Sequence, residues 1–300
     1  MSVAAVPEMM ERALRGRYAV GYFESWNLES LQGVVDAAEQ AQAPVILGFN
    51  GDFLTDPRRS AEERLELYGA LARAAAEGAI VPCGVFFNEC ARDAATTQAV
   101  TAGFNLVMPV AGESSPAEYE RRTTAICTYA HAHGVAVQAE LGELPSGVTG
   151  IVGPVLNRSH SGMTDPEQAA DFVAATGVDL LAVSVGNVHI LVDGRRTLDL
   201  EHLARIRQQV AAPLVLHGGT GIERSSLRAA IGRGVALVQF GTGLKQRYLA
   251  ALRKALATDE RNPHELLGMG GPRDVLCAGR CAVCEAVLEE LEILGCCGKA

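Results

Sequence analysis

The feature that most constrains the fold is a regular alternation of short apolar segments with longer helix-forming segments. The predicted strands cover residues 18–23, 44–48, 80–87, 105–109, 135–140, 179–185, 214–217 and 235–240. A first helix is predicted to end at residues 12–17, and further helices cover residues 28–41, 61–77, 91–102, 117–133, 200–210, 225–232 and 243–257, with another opening at Asp165-Pro166-Glu167. Eight such units joined by mostly short connections favour a parallel (β/α)₈ TIM barrel over an open doubly wound sheet. No glycine fingerprint follows the first strand, which argues against a dinucleotide-binding sheet.

Length and composition are those of one large globular domain. The chain has 300 residues, of which 48% are hydrophobic and 20% are charged. We expect a single domain over residues 1–300, with an extra C-terminal helix after the barrel. The formal net charge of −9 argues against nucleic acid or an anionic membrane as a partner. No apolar run approaches the ~18 residues needed to span a bilayer, and the N-terminus lacks a signal-peptide pattern, so we expect a cytoplasmic protein.

Polar side chains with metal-binding chemistry follow several of the predicted strands. These residues are Asn88, Glu89, Glu140, His189 and His217. In a barrel of this type the carboxyl ends of the strands meet at one face and carry the functional site. A lone histidine is most often structural, but two histidines after consecutive strands, each in a glycine-rich turn, favour a divalent metal.

The stretch 213–222, Pro-Leu-Val-Leu-His-Gly-Gly-Thr-Gly-Ile, combines a buried strand, a histidine and a glycine-rich turn ahead of a helix. Glycines allow backbone N–H groups to turn toward an anion without obstruction by Cβ atoms. This pattern is typical of a metal ligand beside a phosphate cradle. An ordinary strand and loop with a structural histidine is the alternative reading of this stretch alone.

Motifs along nearly the whole chain give a more specific indication. They are Tyr18-Ala-Val-Gly-Tyr-Phe23, Pro44-Val-Ile-Leu-Gly48, Thr164-Asp-Pro-Glu167, Gly186-Asn-Val-His189, Leu216-His-Gly-Gly-Thr-Gly-Ile222 and Leu294-Gly-Cys-Cys-Gly-Lys-Ala300. In this order they resemble the class II, metal-dependent fructose-bisphosphate and tagatose-bisphosphate aldolases. The resemblance implies retro-aldol cleavage of a phosphorylated ketose, such as a ketose bisphosphate, to dihydroxyacetone phosphate and an aldehyde. It also implies a divalent metal, for which we expect Zn²⁺, with Mn²⁺, Co²⁺ or Fe²⁺ as alternatives, and a homodimer or homotetramer.

The resemblance also assigns roles to individual residues. It implies metal ligation by His189 and His217, and it matches Glu140 to the family carboxylate in Glu-Leu-Gly. The phosphate contacts that we predict are Gly186, Ile190, Gly218, Gly219, Thr220, Gly241 and Thr242. A glycine-lined turn with hydroxyl groups suits a phosphate dianion without needing a lysine.

Several positions depart from the family pattern, and most of them concern proton transfer. Where the family has His-x-Asp-His after the third strand, this chain has Phe-Phe-Asn-Glu at residues 86–89. The third metal ligand is therefore predicted to be Glu89, and Asn88 replaces the proton-donating aspartate. An asparagine can bond a hydroxyl but cannot exchange a proton near neutral pH. The loop after the fifth strand lacks the family's acidic pair, which leaves Glu140 and Glu143 as candidates to move protons.

Other departures touch the substrate pocket. Ile190 stands where the family has glycine, and Gln239 and Glu24 each stand where it has asparagine. Glu24 and Glu89 are candidate replacements for the lost acid–base groups, and His160 in the long loop is a further candidate base. Two alternatives to an aldolase stay open: a paralogue that binds a phosphorylated sugar or a metal without turnover, and a different metal-dependent lyase or isomerase on the same scaffold.

The last predicted helix carries three cysteines, Cys277, Cys281 and Cys284, at a spacing that resembles an iron–sulfur motif. On a helix this spacing places all three on one face. A cluster usually needs a loop that wraps the metal, so we interpret these thiols as packing residues at a subunit interface. No role is predicted for Cys296 and Cys297.

Overall fold

A closed barrel of eight parallel strands forms the centre of the molecule. The computed structural model describes residues 3–145, 162–191 and 193–300. The strands are β1 Val20–Ser25, β2 Val45–Asn50, β3 Cys83–Cys90, β4 Leu106–Pro109, β5 Ala136–Leu141, β6 Leu180–Val183, β7 Leu214–Leu216 and β8 Val235–Phe240. Each strand pairs with the next along the chain, and β8 closes on β1. The predicted single-domain (β/α)₈ TIM barrel is confirmed.

Helices surround this barrel. They are α1 Val6–Gly16, α2 Leu28–Ala41, α3 Gly51–Thr55, α4 Leu65–Gly78, α5 Asp93–Ala102, α6 Pro116–Ala132, α7 Pro166–Thr176, α8 Leu200–Gln209, α9 Arg224–Ile231, α10 Thr242–Leu256, α11 Pro263–Leu266 and α12 Val275–Leu294. Sequence periodicity did not predict the short helices α3 and α11. None of the helices in the part of the chain that the structure describes is long and apolar enough to cross a membrane.

Local chemistry explains the helix starts that were predicted well. The Asn27 side chain accepts from the Ser30 N–H, and the Ser30 hydroxyl in turn accepts from the Asn27 N–H, which is a capping box at the start of α2. Asp165 caps α7 by accepting from the N–H groups of Glu167 and Gln168, with Pro166 in the first turn. These caps satisfy backbone donors that the helix itself leaves unpaired.

The third strand differs most from its predicted span. It begins at Cys83 rather than at residue 80, because Ile80 is largely exposed and Pro82 has no N–H to donate to a neighbouring strand. It then continues to Cys90, so Asn88 and Glu89 are among the last three residues of the strand. The register with β4 shifts between Phe87 and Cys90, which is the irregularity of a β-bulge.

The predicted extra C-terminal helix is α12, which packs against α2 and α10. Two glycines permit the close approach: a Cβ at Gly33 would lie 2.6 Å from the Arg280 carbonyl, and one at Gly279 would lie 2.3 Å from the Tyr248 ring. Arg280 also forms a bidentate ion pair with Asp36. Helix α12 is thus held against α2 and α10 by close packing and by an ion pair.

The cysteines of α12 do not meet in a metal site. Cys281 is exposed, Cys277 and Cys284 are half-buried, and all three thiols are free. Within the described ranges, the group of metal-type side chains that come together lies elsewhere, at the barrel mouth. The assignment of these cysteines to a subunit interface remains a prediction.

The barrel's packing predicts a large effect of a small substitution. A Cβ at Gly48 would lie 1.9 Å from the Phe86 carbonyl oxygen on the adjacent strand. We therefore expect Gly48→Ala to lower the free energy of unfolding by about 3 kcal/mol or more, because backbone must move to admit the methyl group. Urea denaturation followed by circular dichroism measures the change. Gly78→Ala is the matched control, since nothing lies within 4 Å of a Cβ at the end of α4, and an equal loss in both variants would contradict the steric explanation.

Candidate functional site

Three potential metal ligands converge at the carboxyl ends of β3, β6 and β7. Glu89 Oε1 lies 2.9 Å from His217 Nδ1 and 3.3 Å from His189 Nε2. One ligand atom from each of these residues lies within 4.8 Å of the other two. Nitrogen and oxygen ligands bind Zn²⁺ at about 2.0–2.2 Å in tetrahedral geometry, so donor atoms this close together can share an ion. The structure thus brings the three predicted ligands together.

The backbone at Glu89 is unusual. Its φ of 52° lies in the left-handed region, which non-glycine residues rarely adopt. The residue lies in the β-bulge of β3, and bulges of this kind redirect a side chain at the rim of a barrel. Asn50, at the end of β2, donates to Glu89 Oε2 at 2.7 Å. The strand irregularity and the Asn50 bond together fix the carboxylate between the two imidazoles.

Hydrogen bonds link the segment after β6 to the segments that follow β5 and β7. The Asn187 side chain donates to the His217 carbonyl at 3.1 Å, and its Oδ1 accepts from the Val185 N–H. The His189 N–H donates to the Pro145 carbonyl at 2.9 Å. Ile190, which follows, has a φ of 51°, a conformation that is costly for a β-branched residue. The positions of the two histidines are therefore fixed by hydrogen bonds to their backbone groups, which leaves both imidazole rings available for a ligand.

The two ring nitrogens of His217 have different surroundings. Nδ1 faces Glu89 and also lies 3.2 Å from Glu140 Oε2, whereas Nε2 lies 3.0 Å from the amide nitrogen of Gln138. The Gln138 amide oxygen in turn accepts from Gln239. This buried chain of amides fixes the orientation of the ring and leaves Nδ1 as the nitrogen directed at the cluster.

Burial and neighbouring charges shift the pKa values of the clustered residues in different directions. Burial disfavours the charged form of Glu89, but its hydrogen bond to His217 and the charges of both histidines outweigh burial and lower its pKa to about 2. Burial raises the pKa of Glu140 to about 7 although His217 acts in the opposite direction. Burial lowers the pKa of His189. Burial lowers the pKa of His217, but the charge of Glu140 and the hydrogen bond and charge of Glu89 outweigh it and raise the pKa. Metal ligation requires an ionised carboxylate and neutral imidazoles, so a bound cation would take the place of the proton on His217.

The predicted phosphate cradle lies next to the cluster. Gly218 has a φ of 68°, and a Cβ there would lie 2.2 Å from the Val188 carbonyl oxygen. The chain then forms a 3₁₀ turn over Gly219–Gly221, where the Thr220 hydroxyl accepts from the Gly243 N–H at 3.2 Å. This bond ties the turn to the N-terminus of α10, where free N–H groups and the helix dipole favour an anion.

A cavity of about 270 Å³ opens above the cluster and the cradle. Among its lining residues are Asn88, all three clustered ligands, and five predicted phosphate contacts, which are Ile190, Gly218, Thr220, Gly241 and Thr242. Asn88 Oδ1 and the Tyr22 hydroxyl are buried, and neither has a hydrogen-bond partner among the described residues. A buried polar atom without a partner is costly, so these two atoms suit a ligand that carries hydroxyl groups.

Other predicted site residues lie outside the cavity lining. Gly186, Gly219 and Glu140 are not among the lining residues, although Glu140 contacts His217 Nδ1. The exposed Glu143 is held through its backbone, whose N–H donates to the Gly162 carbonyl and whose carbonyl accepts from the Ser184 hydroxyl. Their predicted roles stay predictions. His160, the further candidate base, lies outside the described residues.

Sequence reasoning missed several residues that shape the site, namely Tyr22, Asn50, Gln138, Asn187 and Lys245. One signal was available for Gln138: it alternates with Ala136 and Glu140 along an otherwise apolar strand, and residues two apart on a strand share a face. No local signal marks Lys245, because its partner Glu24 is distant in the sequence.

The chain is similar over nearly its whole length to proteins of one known family. The family model for "Fructose-bisphosphate aldolase class-II" matches residues 4–299. A fructose-bisphosphate aldolase of Geobacillus stearothermophilus is 32% identical over 100% of this chain and 99% of its own, and the uncharacterized protein YdjI of Escherichia coli K12 is 33% identical over 96% of each chain. The crystal structure of the YdjI aldolase superposes with a TM-score of 0.80 at 31% identity, covering 99% of each chain. A putative fructose-1,6-bisphosphate aldolase of Coccidioides immitis superposes with a TM-score of 0.79 at 25% identity, covering 98% of this chain and 97% of the other.

Proposed function

Because the chain belongs to the class II fructose-bisphosphate aldolase family, we propose that it is a divalent-metal-dependent aldolase. The proposed reaction is cleavage of a phosphorylated ketose, such as a ketose bisphosphate, to dihydroxyacetone phosphate and an aldehyde. The observation that carries this proposal is the convergence of Glu89, His189 and His217 beside the glycine-rich turn at Gly218. A metal ligand set next to an anion cradle suits a substrate that presents a carbonyl and a phosphate together.

The three clustered side chains would hold the metal. Two imidazoles and one carboxylate bind Zn²⁺ and also suit Mn²⁺, Co²⁺ or Fe²⁺, and we propose Zn²⁺. When bound, such an ion would polarise the ketone carbonyl of the substrate. Asn50 and Gln138 would act through the ligands, by orienting Glu89 and His217 respectively.

The remaining residues would bind the substrate and move its protons. The Gly218 backbone, Thr220 and Thr242 would hold the phosphate at the N-terminus of α10. Asn88, whose Oδ1 is buried without a partner among the described residues, would accept a hydrogen bond from a substrate hydroxyl. Glu140, beside His217, is better placed to move a proton than the exposed Glu143.

An altered paralogue that binds the same sugar phosphate without turnover is the second candidate. It is favoured by one observation: the position of the family's proton-donating aspartate holds Asn88. A single domain over residues 1–300 that assembles as a homodimer or homotetramer completes the proposal for either candidate.

The proposed metal centre predicts that its ligands are needed for metal retention. We expect His189→Ala and His217→Ala to lose the bound metal, because two remaining donors hold a divalent ion weakly. Metal content of the purified variants, measured by plasma mass spectrometry after dialysis against zinc, checks this. His264→Ala, an exposed histidine on α11, is the control. Wild-type metal content in both ligand variants would refute the assignment.

The amide chain behind His217 predicts an effect at a distance from the metal. Ligation through Nδ1 requires a proton on Nε2. If the amides of Gln138 and Gln239 are both turned by 180°, the Gln138 oxygen accepts from that N–H while the Gln138 amide nitrogen donates to the Gln239 oxygen. We expect Gln138→Leu to weaken metal affinity about 10–100-fold. Competition with a chromogenic chelator measures the affinity, and Gln208→Leu on the exposed side of α8 serves as control. Equal affinities for all three proteins would show that the amide has no positioning role.

The reaction itself is tested in two halves. Zinc-loaded protein is incubated with dihydroxyacetone phosphate in D₂O, and loss of the C3 proton is followed by NMR, first without and then with an added aldehyde. An active aldolase both exchanges the proton and forms the condensation product. Exchange without product means that the aldehyde half is lost. No exchange from metal-loaded protein would favour the binding paralogue.

A further inference from the structure

The cavity contains an ion pair that the proposed aldolase function does not use. Lys245, in the first turn of α10, donates to Glu24 Oε1 on β1. Glu24 is almost fully buried, with 9% of its surface exposed, while the lysine side chain is about one-third exposed. Lys245 is the only lysine or arginine among the residues that line this cavity in the described part of the chain.

Neighbouring rings fix the position of the lysine. Its ammonium group lies 4.3 Å from the centroid of the Phe53 ring and 5.8 Å from that of Trp26. A cation at these distances from aromatic faces is attracted by their quadrupoles. The lysine is therefore held over the cavity by three partners.

The second oxygen of Glu24 points at the start of α10. A Cβ on Gly241, the residue before that helix, would lie 2.7 Å from Glu24 Oε2. The next residue, Thr242, and the Thr220 hydroxyl bonded to Gly243 belong to the predicted phosphate cradle. The carboxylate therefore lies against the residue that precedes α10, at the end of the helix where the dipole favours negative charge.

This arrangement creates two opposed electrostatic effects on an incoming phosphate. Burial raises the pKa of Glu24, while the charge of Lys245 and its hydrogen bond favour the ionised carboxylate. The ionised carboxylate repels a dianion at the start of α10, because two like charges a few ångströms apart interact strongly at low dielectric. Lys245 attracts the same dianion from the other side of the carboxylate. Neither effect depends on the metal ligands.

We propose that Glu24 and Lys245 form a charge filter that determines how strongly the phosphate of the substrate binds. In this charge filter, the Glu24 carboxylate occupies part of the anion position at the start of α10 and weakens phosphate binding, while Lys245 offsets that penalty. The inference rests on the proposed phosphate subsite and deepens it, because it makes selectivity for a phosphorylated ligand depend on two side chains outside the glycine turn.

Calorimetric titration of zinc-loaded protein with dihydroxyacetone phosphate tests the charge filter. We expect Glu24→Gln, which keeps the shape and a hydrogen bond to Lys245, to raise the affinity about tenfold or more. We expect Lys245→Met to lower it by about as much, and Lys245→Arg to stay closer to wild type because it keeps the charge. Dihydroxyacetone, which lacks the phosphate, is the second probe, and its affinity should not follow this order.

Two surface variants control for net charge. Glu120→Gln on α6 and Lys254→Met at the far end of α10 change the charge by the same amounts at exposed positions, and both should bind like wild type. Thermal melts of each variant establish that it is folded. Opposite shifts in the two filter variants, confined to the phosphorylated probe, would support the proposal.

The outcomes also separate this inference from the proposed function. If wild type binds dihydroxyacetone phosphate but Glu24→Gln and Lys245→Met bind it with the same affinity, the charge filter is wrong and the aldolase proposal stands. If wild type retains zinc yet does not bind dihydroxyacetone phosphate, both the phosphate subsite and the filter fail. Equal changes in the affinity for dihydroxyacetone would also overturn the charge filter, because the effect of the substitutions would then not depend on the phosphate.

Discussion

A buried carboxylate between two imidazoles is the contact on which the candidate site depends. Glu89 approaches both His189 and His217 with the same oxygen, while its other oxygen is bonded to Asn50. Without these partners, an ionised carboxylate at this depth would be strongly unfavourable. The end of β3 and the segments that follow β6 and β7 are therefore coupled through one charge, and the cavity lies next to that point.

The geometry of the site requires strained backbone at two positions. Glu89 and Ile190 both have positive φ values, and each such residue costs on the order of 1–3 kcal/mol. Such strain persists only where the surrounding structure is rigid enough to impose it. The rigidity here comes from a closed sheet whose strands are buried on both faces, as in β2 and β3. The rigid packing of the barrel therefore stabilises the strained backbone that directs Glu89 and His189 into the site.

The sequence predicted the barrel because strand and helix periods alternate clearly, and α2 and β8 have the predicted bounds. It predicted the three clustered residues because parallel strands end at one face. It could not predict the bulge in β3, since a register shift depends on the neighbouring strand and not on local composition. It also missed the contact between Glu24 and Lys245, because side chains so far apart in the chain meet only after β8 closes on β1.

The charges around the cavity suggest an order of binding. Glu24, Glu89 and Glu140 contribute carboxylates; Lys245 is paired with the first of them, and His217 lies beside the other two. A phosphate dianion that entered this environment alone would meet these carboxylates close to its cradle. A divalent cation held by Glu89 and the two histidines would add positive charge there, and an opposite charge within a few ångströms attracts a dianion strongly at low dielectric. The arrangement therefore favours a metal before the phosphate, and it makes the Glu24 and Lys245 pair, rather than the glycine turn alone, the place where selectivity for the anion is adjusted.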